Sequence, residues 1–181
     1  MTRAIILVAQ NFQDEEFTYP HYRMLEEGWS VDVASPGGVE MHGKYGVPAK
    51  VNTSITLIKP EDYDVVIIPG GFESPDRLRM LPDVRMFVYD MFKVGKVVAA
   101  ICHGPWVLIS AGIMRGATAT CYPSLKDDLI NAGAYYIGTL PAVVWMNLVT
   151  SDHYRNNGAF MKAVIGQVAH REHMESLKRA P

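Results

Sequence analysis

Gly95-Lys96-Val97-Val98-Ala99-Ala100-Ile101-Cys102-His103-Gly104-Pro105-Trp106 reads as a buried strand that turns abruptly into a helix. Val97 to Ile101 is wholly apolar, as a central parallel strand must be when both its faces are covered. Gly104 permits a sharp turn, and Pro105 suits the first turn of a helix, where a missing N–H costs little. Such a turn holds the Cys102 thiol out of the sheet, close to the positive end of a helix. It is the geometry of a nucleophile elbow, with sulfur in place of the serine oxygen. The helix terminus and His103 are both expected to lower the thiol pKa, and the thiolate is the nucleophile. A free cysteine is otherwise most often a small buried hydrophobe. The elbow context favours the reactive thiol.

Outward from this strand, apolar runs and helical stretches alternate. Ala4 to Ala9 is a buried strand, and a helix through Tyr22–Glu27 is stopped by Gly28. Pro20 predicts that this helix starts late or kinked. Ser30 to Ala34 and Val65 to Ile68 are strands, the second ending in Pro69-Gly70-Gly71, and His42 to Ile55 is extended chain or a small hairpin. Helices are expected over Asp83–Val94, Pro105–Ala111, Lys126–Ala132 and Ala159 to about His173, the last leaving a charged, frayed tail. Val143 to Thr150 is a hairpin turning at Met146-Asn147. With no internal repeat or linker, residues 1–181 read as a single α/β domain with a mainly parallel central sheet.

In such sheets ligands bind beyond the carboxyl ends of the strands. The first strand delivers Gln13-Asp14-Glu15-Glu16 there, the Val65–Ile68 strand delivers Gly70-Gly71, and the Val97–Ile101 strand delivers Cys102-His103. A carboxylate cluster, a Gly-Gly turn and a thiol thus share one rim. Gly70 and Gly71 let backbone N–H groups approach a developing oxyanion closely. A carboxyl beside the thiol orients it by donating a hydrogen bond if burial raises its own pKa.

Composition excludes other classes. Seventeen basic against nineteen acidic residues in 181 give a net charge of −2, which points to neither nucleic acid nor an anionic membrane as partner. The apolar run at Ala4–Ala9 is too short for a signal peptide or a spanning helix. Two cysteines, Cys102 and Cys121, make neither a disulfide framework nor a C-x-x-C pair, so a cytoplasmic setting is expected. His170 and His173 lack a third ligand, and no metal or organic cofactor is called for. His170-Arg171-Glu172 has the H-x-E spacing of amidotransferase triads, but it falls in a helical run and reads as a solvated face.

Four stretches together resemble the ThiJ/PfpI superfamily: Phe12 to Pro20, Pro69-Gly70-Gly71, Ala100 to Pro105, and Tyr122-Pro123-Ser124-Leu125-Lys126-Asp127-Asp128-Leu129-Ile130-Asn131-Ala132-Gly133. The nearest branch is the PfpI type, described as intracellular proteases and, for some members, stress-response deglycases or glyoxalases. The resemblance implies a flavodoxin-like three-layer sandwich, a homodimer or higher homo-oligomer, and Cys102 as nucleophile. It implies that Glu16 contacts the cysteine and that the Gly-Gly supplies oxyanion donors. It also implies that the acid completing a Cys102–His103 pair comes from a neighbouring subunit, the matching residue being Asp76, offset by one.

The segment Asn147 to Phe160 departs from that branch and brings His153, Tyr154 and Arg155 to the border of the site. The expected function is therefore a cysteine-dependent, stress-related enzyme acting on a small carbonyl or acyl substrate. The catalytic set is Cys102, His103, Glu16 and Asp76, with Gly70 and Gly71 holding the oxyanion. The rival readings are an intracellular cysteine peptidase, a non-enzymatic redox sensor or chaperone-like stress protein, and a glutamine amidotransferase subunit.

Overall fold

In the computed structural model, which describes residues 1–179, elements alternate along the chain in the expected way. β1 (Arg3–Leu7) leads to α1 (Asp14–Glu26) and β2 (Ser30–Ser35). A small hairpin, β3 (Met41–His42) and β4 (Pro48–Ala49), precedes the short β5 (Thr53–Ser54). Then come β6 (Val65–Ile68), α2 (Glu73–Met80), α3 (Pro82–Lys93), β7 (Val97–Ile101) and α4 (Pro105–Ser110). A two-stranded ladder of β8 (Thr118–Ala119) and β9 (Tyr135–Tyr136) brackets α5 (Lys126–Asn131). The hairpin of β10 (Ala142–Trp145) and β11 (Leu148–Ser151) is followed by α6 (Asn157–Arg179).

Seven strands form one sheet in the order β10-β11-β7-β6-β1-β2-β5, parallel throughout except for β10 against β11. The central strands are apolar on both faces because each face has its own core. Ile5, Leu7, Val66, Ile68, Val98 and Ala100 pack with Val84, Phe87 and Met91 of α3. Their alternate neighbours Ala4, Ile6, Val65, Ile67, Val97 and Ala99 pack with Phe17 and Met24 of α1 and Phe160 and Val164 of α6. This two-residue alternation between separate cores makes the three-layer, flavodoxin-like sandwich.

Three expectations need correction. The first helix does not start late: it begins at Asp14 and runs through Pro20. Asp14 and Glu15 in its first turn match the positive end of the helix dipole, and only the bond to the Glu16 carbonyl is forfeited at Pro20. The last helix does not stop near His173 but continues to Arg179, with Arg171 and Glu175 paired one turn apart at 2.5 Å. Two elements went unread in the sequence, α2 and the β8–β9 ladder; α2 is tied down where buried Ser74 accepts the Ala9 N–H at 2.9 Å.

The hairpin over 143–150 turns where expected. Met146 takes φ 51°, and the Asn147 amide donates to the carbonyls of Phe92 and Lys96 at 3.0 and 2.6 Å. Asn147 stands in the turn because it also closes the end of α3. Glu172 accepts from Thr2 at 2.8 Å and Arg171 pairs with Asp64 at 3.1 Å, beside the N-terminal ends of β1 and β6. The H-x-E spacing therefore lies at the sheet edge opposite Cys102.

Candidate active site

Cys102 sits one residue past β7 with φ 60°, a left-handed conformation that costs a non-glycine residue about 1–3 kcal/mol and needs support from its surroundings. The support is backbone pairing on both sides. Cys102 N–H donates to Ser151 O, and Cys102 O accepts from Tyr122 N–H, each at 2.9 Å. A Cβ on Gly104 would collide with the Ile68 carbonyl, so the turn requires glycine at that position. The thiol is 7% exposed at the floor of a cavity of about 300 Å³.

Glu16, in the first turn of α1, is fully buried behind the sulfur. Its Oε2 accepts the Gly70 N–H at 2.8 Å, Oε1 has no hydrogen-bond partner among the described residues, and the carboxyl lies beside the Cys102 thiol and Tyr154 N–H. Burial pushes the Glu16 carboxyl up to about 8, against the pull of the Gly70 N–H, so at neutral pH it carries a proton it can donate toward sulfur.

Burial, and secondly the Glu16 charge, also push the Cys102 thiol up, while the N–H groups of Gly71 and His103 favour the thiolate. The lowering expected from the helix terminus and His103 is thus overturned. Desolvation outweighs both in a nearly closed pocket, and α4 is only six residues long. Protonation of Glu16 removes the second of the two opposing causes.

The two glycines divide the roles assigned to them jointly. Gly70 gives its N–H to Glu16, so it is not a free oxyanion donor; a Cβ there would lie 2.5 Å from Glu16 Oε2 and 2.7 Å from Cys102 Cβ. Gly71 faces the sulfur, as does His103 N–H, and these are the two amides left for an oxyanion. Gly71 takes φ 76° with no room for a side chain, since a Cβ would be 2.6 Å from Asn11 O and Gln13 N.

His103 Nδ1 lies 3.2 Å from Cys102 Sγ. Burial, then the Lys44 charge, lower the His103 pKa, so the ring is a neutral acceptor for the thiol proton. Tyr122 stacks on it at 4.9 Å and Trp106 meets it edge-on at 5.3 Å, with Trp106 Nε1 donating to Asp128 at 2.9 Å. Trp106 therefore buttresses His103, and Tyr19 lines a neighbouring groove.

Asp76 is exposed on α2, makes no side-chain hydrogen bond or ion pair among the described residues, and lies outside the cavity wall. This chain alone does not bring it to His103. Cys121 is fully buried.

Lys44, Tyr45 and Tyr122 line the cavity and were not read as site residues. Lys44 and Tyr45 arrive from the β3–β4 hairpin, which the strand-end rule does not cover. His153 and Tyr154, expected at the border of the site, follow β11 and line the cavity, while Arg155 lines the neighbouring groove. No group of three His, Cys, Asp or Glu side chains among the described residues is arranged to hold a metal.

A thiol in a strained turn, a buried protonated carboxyl and paired amides on the rim of a parallel sheet define a cysteine-centred α/β site. The chain belongs to the DJ-1/PfpI family, whose sequence profile matches residues 2–167. It is similar to "Deglycase PH1704" of Pyrococcus horikoshii, 42% identical over 135 residues that cover 75% of this chain and 81% of that one. "Putative cysteine protease YraA" of Bacillus subtilis is 41% identical over 147 residues, covering 81% and 86%. The fold superposes with a TM-score of 0.90 and 33% identity on a protein of Anabaena variabilis with DJ-1/ThiJ/PfpI-like and ferritin-like domains, covering 93% of this chain and 48% of that two-domain chain.

Proposed function

We propose that this protein is a cysteine-dependent enzyme of the deglycase or glyoxalase type, acting on small carbonyl or acyl compounds. The observation that carries the reading is Cys102 at φ 60°, with sulfur between the Gly71 and His103 amides and the carboxyl of Glu16. Its thiol adds to the substrate carbonyl carbon, His103 Nδ1 takes the thiol proton, and the two amides hold the new oxyanion. Glu16 donates a hydrogen bond to sulfur, and His103 returns the proton it took as the adduct collapses or is hydrolysed. For an α-oxoaldehyde the thiohemiacetal rearranges to a 2-hydroxy thioester, which water cleaves to the 2-hydroxy acid and free thiol. Asp76 of a second copy is proposed as the acid that orients His103.

The cavity of about 300 Å³ suits a small molecule better than a polypeptide segment. A second reading, action on a segment of polypeptide, draws on the open groove of about 850 Å³ lined by Tyr19, Tyr22 and Arg155, which meets the cavity at Tyr154. Methylglyoxal consumption with lactate as product, wild type beside Cys102→Ala, tests the first reading. Turnover is expected in the wild type and lost in the variant. Absence of turnover, with cleavage of a fluorogenic peptide that depends on Cys102, would transfer the assignment to the second.

A further inference from the structure

We propose that Lys44 makes the Cys102 cavity selective for electrophiles carrying a carboxylate beside the reacting carbon, an inference that rests on the cysteine chemistry proposed above. Ten residues line the cavity, and Lys44 is the one among them with a permanent charge; neither aspartate nor glutamate contributes to its wall. Of the two histidines of the wall, His103 is disfavoured as a cation by burial and by Lys44 itself, and His153 has its Nδ1 engaged by the Arg155 N–H at 3.2 Å. Glu16, behind the sulfur, is protonated at neutral pH, and Glu15 lines the neighbouring groove instead. One positive charge therefore stands unopposed on the wall of a pocket whose floor is the thiol.

The loop that presents Lys44 is fixed by groups otherwise without a role. Asp14, 5% exposed, accepts the N–H groups of Tyr45 and Val47 on its two oxygens, each at 2.9 Å. Lys44 N–H donates to Phe12 O and Gly43 N–H to Val47 O, both at 2.8 Å. Gly43 packs so closely on the Asp14 carboxylate that a Cβ would collide with it. The Lys44 ammonium lies 5.3 Å from the centre of the Tyr45 ring, which also lines the cavity. A buried carboxylate thus spends both oxygens on holding a cation-bearing turn over the nucleophile. Lys44 and Tyr45 are both exposed, so the charge stands where the cavity meets solvent and its attraction for a carboxylate is modest and sensitive to salt.

Iodoacetate and iodoacetamide test this directly. Each alkylates the thiolate at its methylene carbon, leaving a carboxymethyl or a carbamidomethyl group on sulfur and releasing iodide, and they differ in little but charge. Rates at Cys102, followed by peptide mass spectrometry, are compared with those of a free small-molecule thiol in the same buffer. The iodoacetate-to-iodoacetamide ratio should exceed the reference about fivefold at low salt, the scale of a one-charge attraction across a few ångströms of partly wet cavity. It should fall toward the reference as salt screens the charge. Lys44→Gln should abolish the excess and Lys44→Arg should retain it. A wild-type ratio at or below the reference, or an excess untouched in Lys44→Gln, overturns the proposal. Turnover is read separately with methylglyoxal and with 2,3-dioxopropanoate, its analogue with a carboxylate in place of the methyl group, the second expected to show the higher kcat/KM. Turnover of neither, with the alkylation preference intact, would sink the catalytic reading and leave the charge selectivity standing.

Discussion

At the scale of single residues, Glu16 and Gly70 act as one unit. A carboxyl with no exposure to water is tolerable when one oxygen is satisfied by a backbone N–H and the other carries a proton. The consequence is a measurable pH dependence of stability. The folded-state pKa of Glu16, about 8, lies above its ordinary value of 4.5, so the folded chain binds the proton more tightly than the unfolded chain. Its contribution is fully present below the unfolded value and is lost as pH rises through the folded one. Denaturant unfolding of wild type and Glu16→Gln from about pH 4.5 to 8 should show the variant gaining on the wild type, by on the order of a few kcal/mol in total, and levelling above that. The lowered pKa values of His21 and His103 slope the other way below their ordinary value of 6.5 but cancel in the difference. A flat difference would mean that Glu16 ionises normally inside the fold. Cys102 was legible because strand, turn and proline are adjacent in the sequence. That Gly70 serves Glu16 was not, because the partner is 54 positions away and the need arises only once the carboxyl is buried.

At the scale of elements, the site is a set of turns held against one another at the sheet's carboxyl edge. Gly71→Ala would set a methyl group 2.6 Å from Asn11 O in a backbone held at φ 76°. Both neighbours are backbone and cannot swing away. We expect a loss of about 3 kcal/mol or more, a drop in Tm on the order of 10 °C, and no methylglyoxal turnover. Calorimetry beside the activity assay checks both. Asp14→Ala leaves the Tyr45 and Val47 N–H groups without acceptors. Hydrogen exchange at those two amides should quicken while the amides of β1, β6 and β7 stay protected. Equal acceleration in the central strands would show that Asp14 stabilises the whole fold rather than the Lys44 turn. The central strands and most helices could be read from the sequence, since uninterrupted apolar runs and glycine or proline punctuation are local signals. The Lys44 turn could not, because its position depends on a carboxylate 31 residues earlier finding Tyr45 in space. Nor could the left-handed Asn11 turn, where a non-glycine residue is held by contacts to His42 and Glu73.

On the scale of the whole molecule the two ends of the sheet divide their tasks. At the N-terminal edge Asp64 collects Lys96 and Arg171, each at 3.1 Å, tying α6 to the strands with ordinary polar anchors. At the opposite edge polar groups are buried and strained around one thiol. His103 completes that constellation in part only, because no carboxylate among the described residues is hydrogen-bonded to its ring, and Asp76 stands exposed on α2. If a second copy supplies Asp76, neither Cys102→Ala nor Asp76→Ala homo-oligomers should turn over methylglyoxal at the wild-type rate. A hybrid oligomer would pair an intact Cys102 of one subunit with an intact Asp76 of the other at one of its two sites. Unfolding and refolding an equal mixture of the two variants should then restore about a quarter of the wild-type sites, since half the dimers are hybrids and each has one intact site. An acid supplied within the same chain predicts no recovery, because every subunit in the mixture lacks one of the two groups. Sedimentation of the refolded mixture, run alongside the assay, confirms that oligomers have re-formed. Recovery with re-formed oligomers would place Asp76 across the subunit boundary; no recovery with re-formed oligomers would rule out its acting from a second copy.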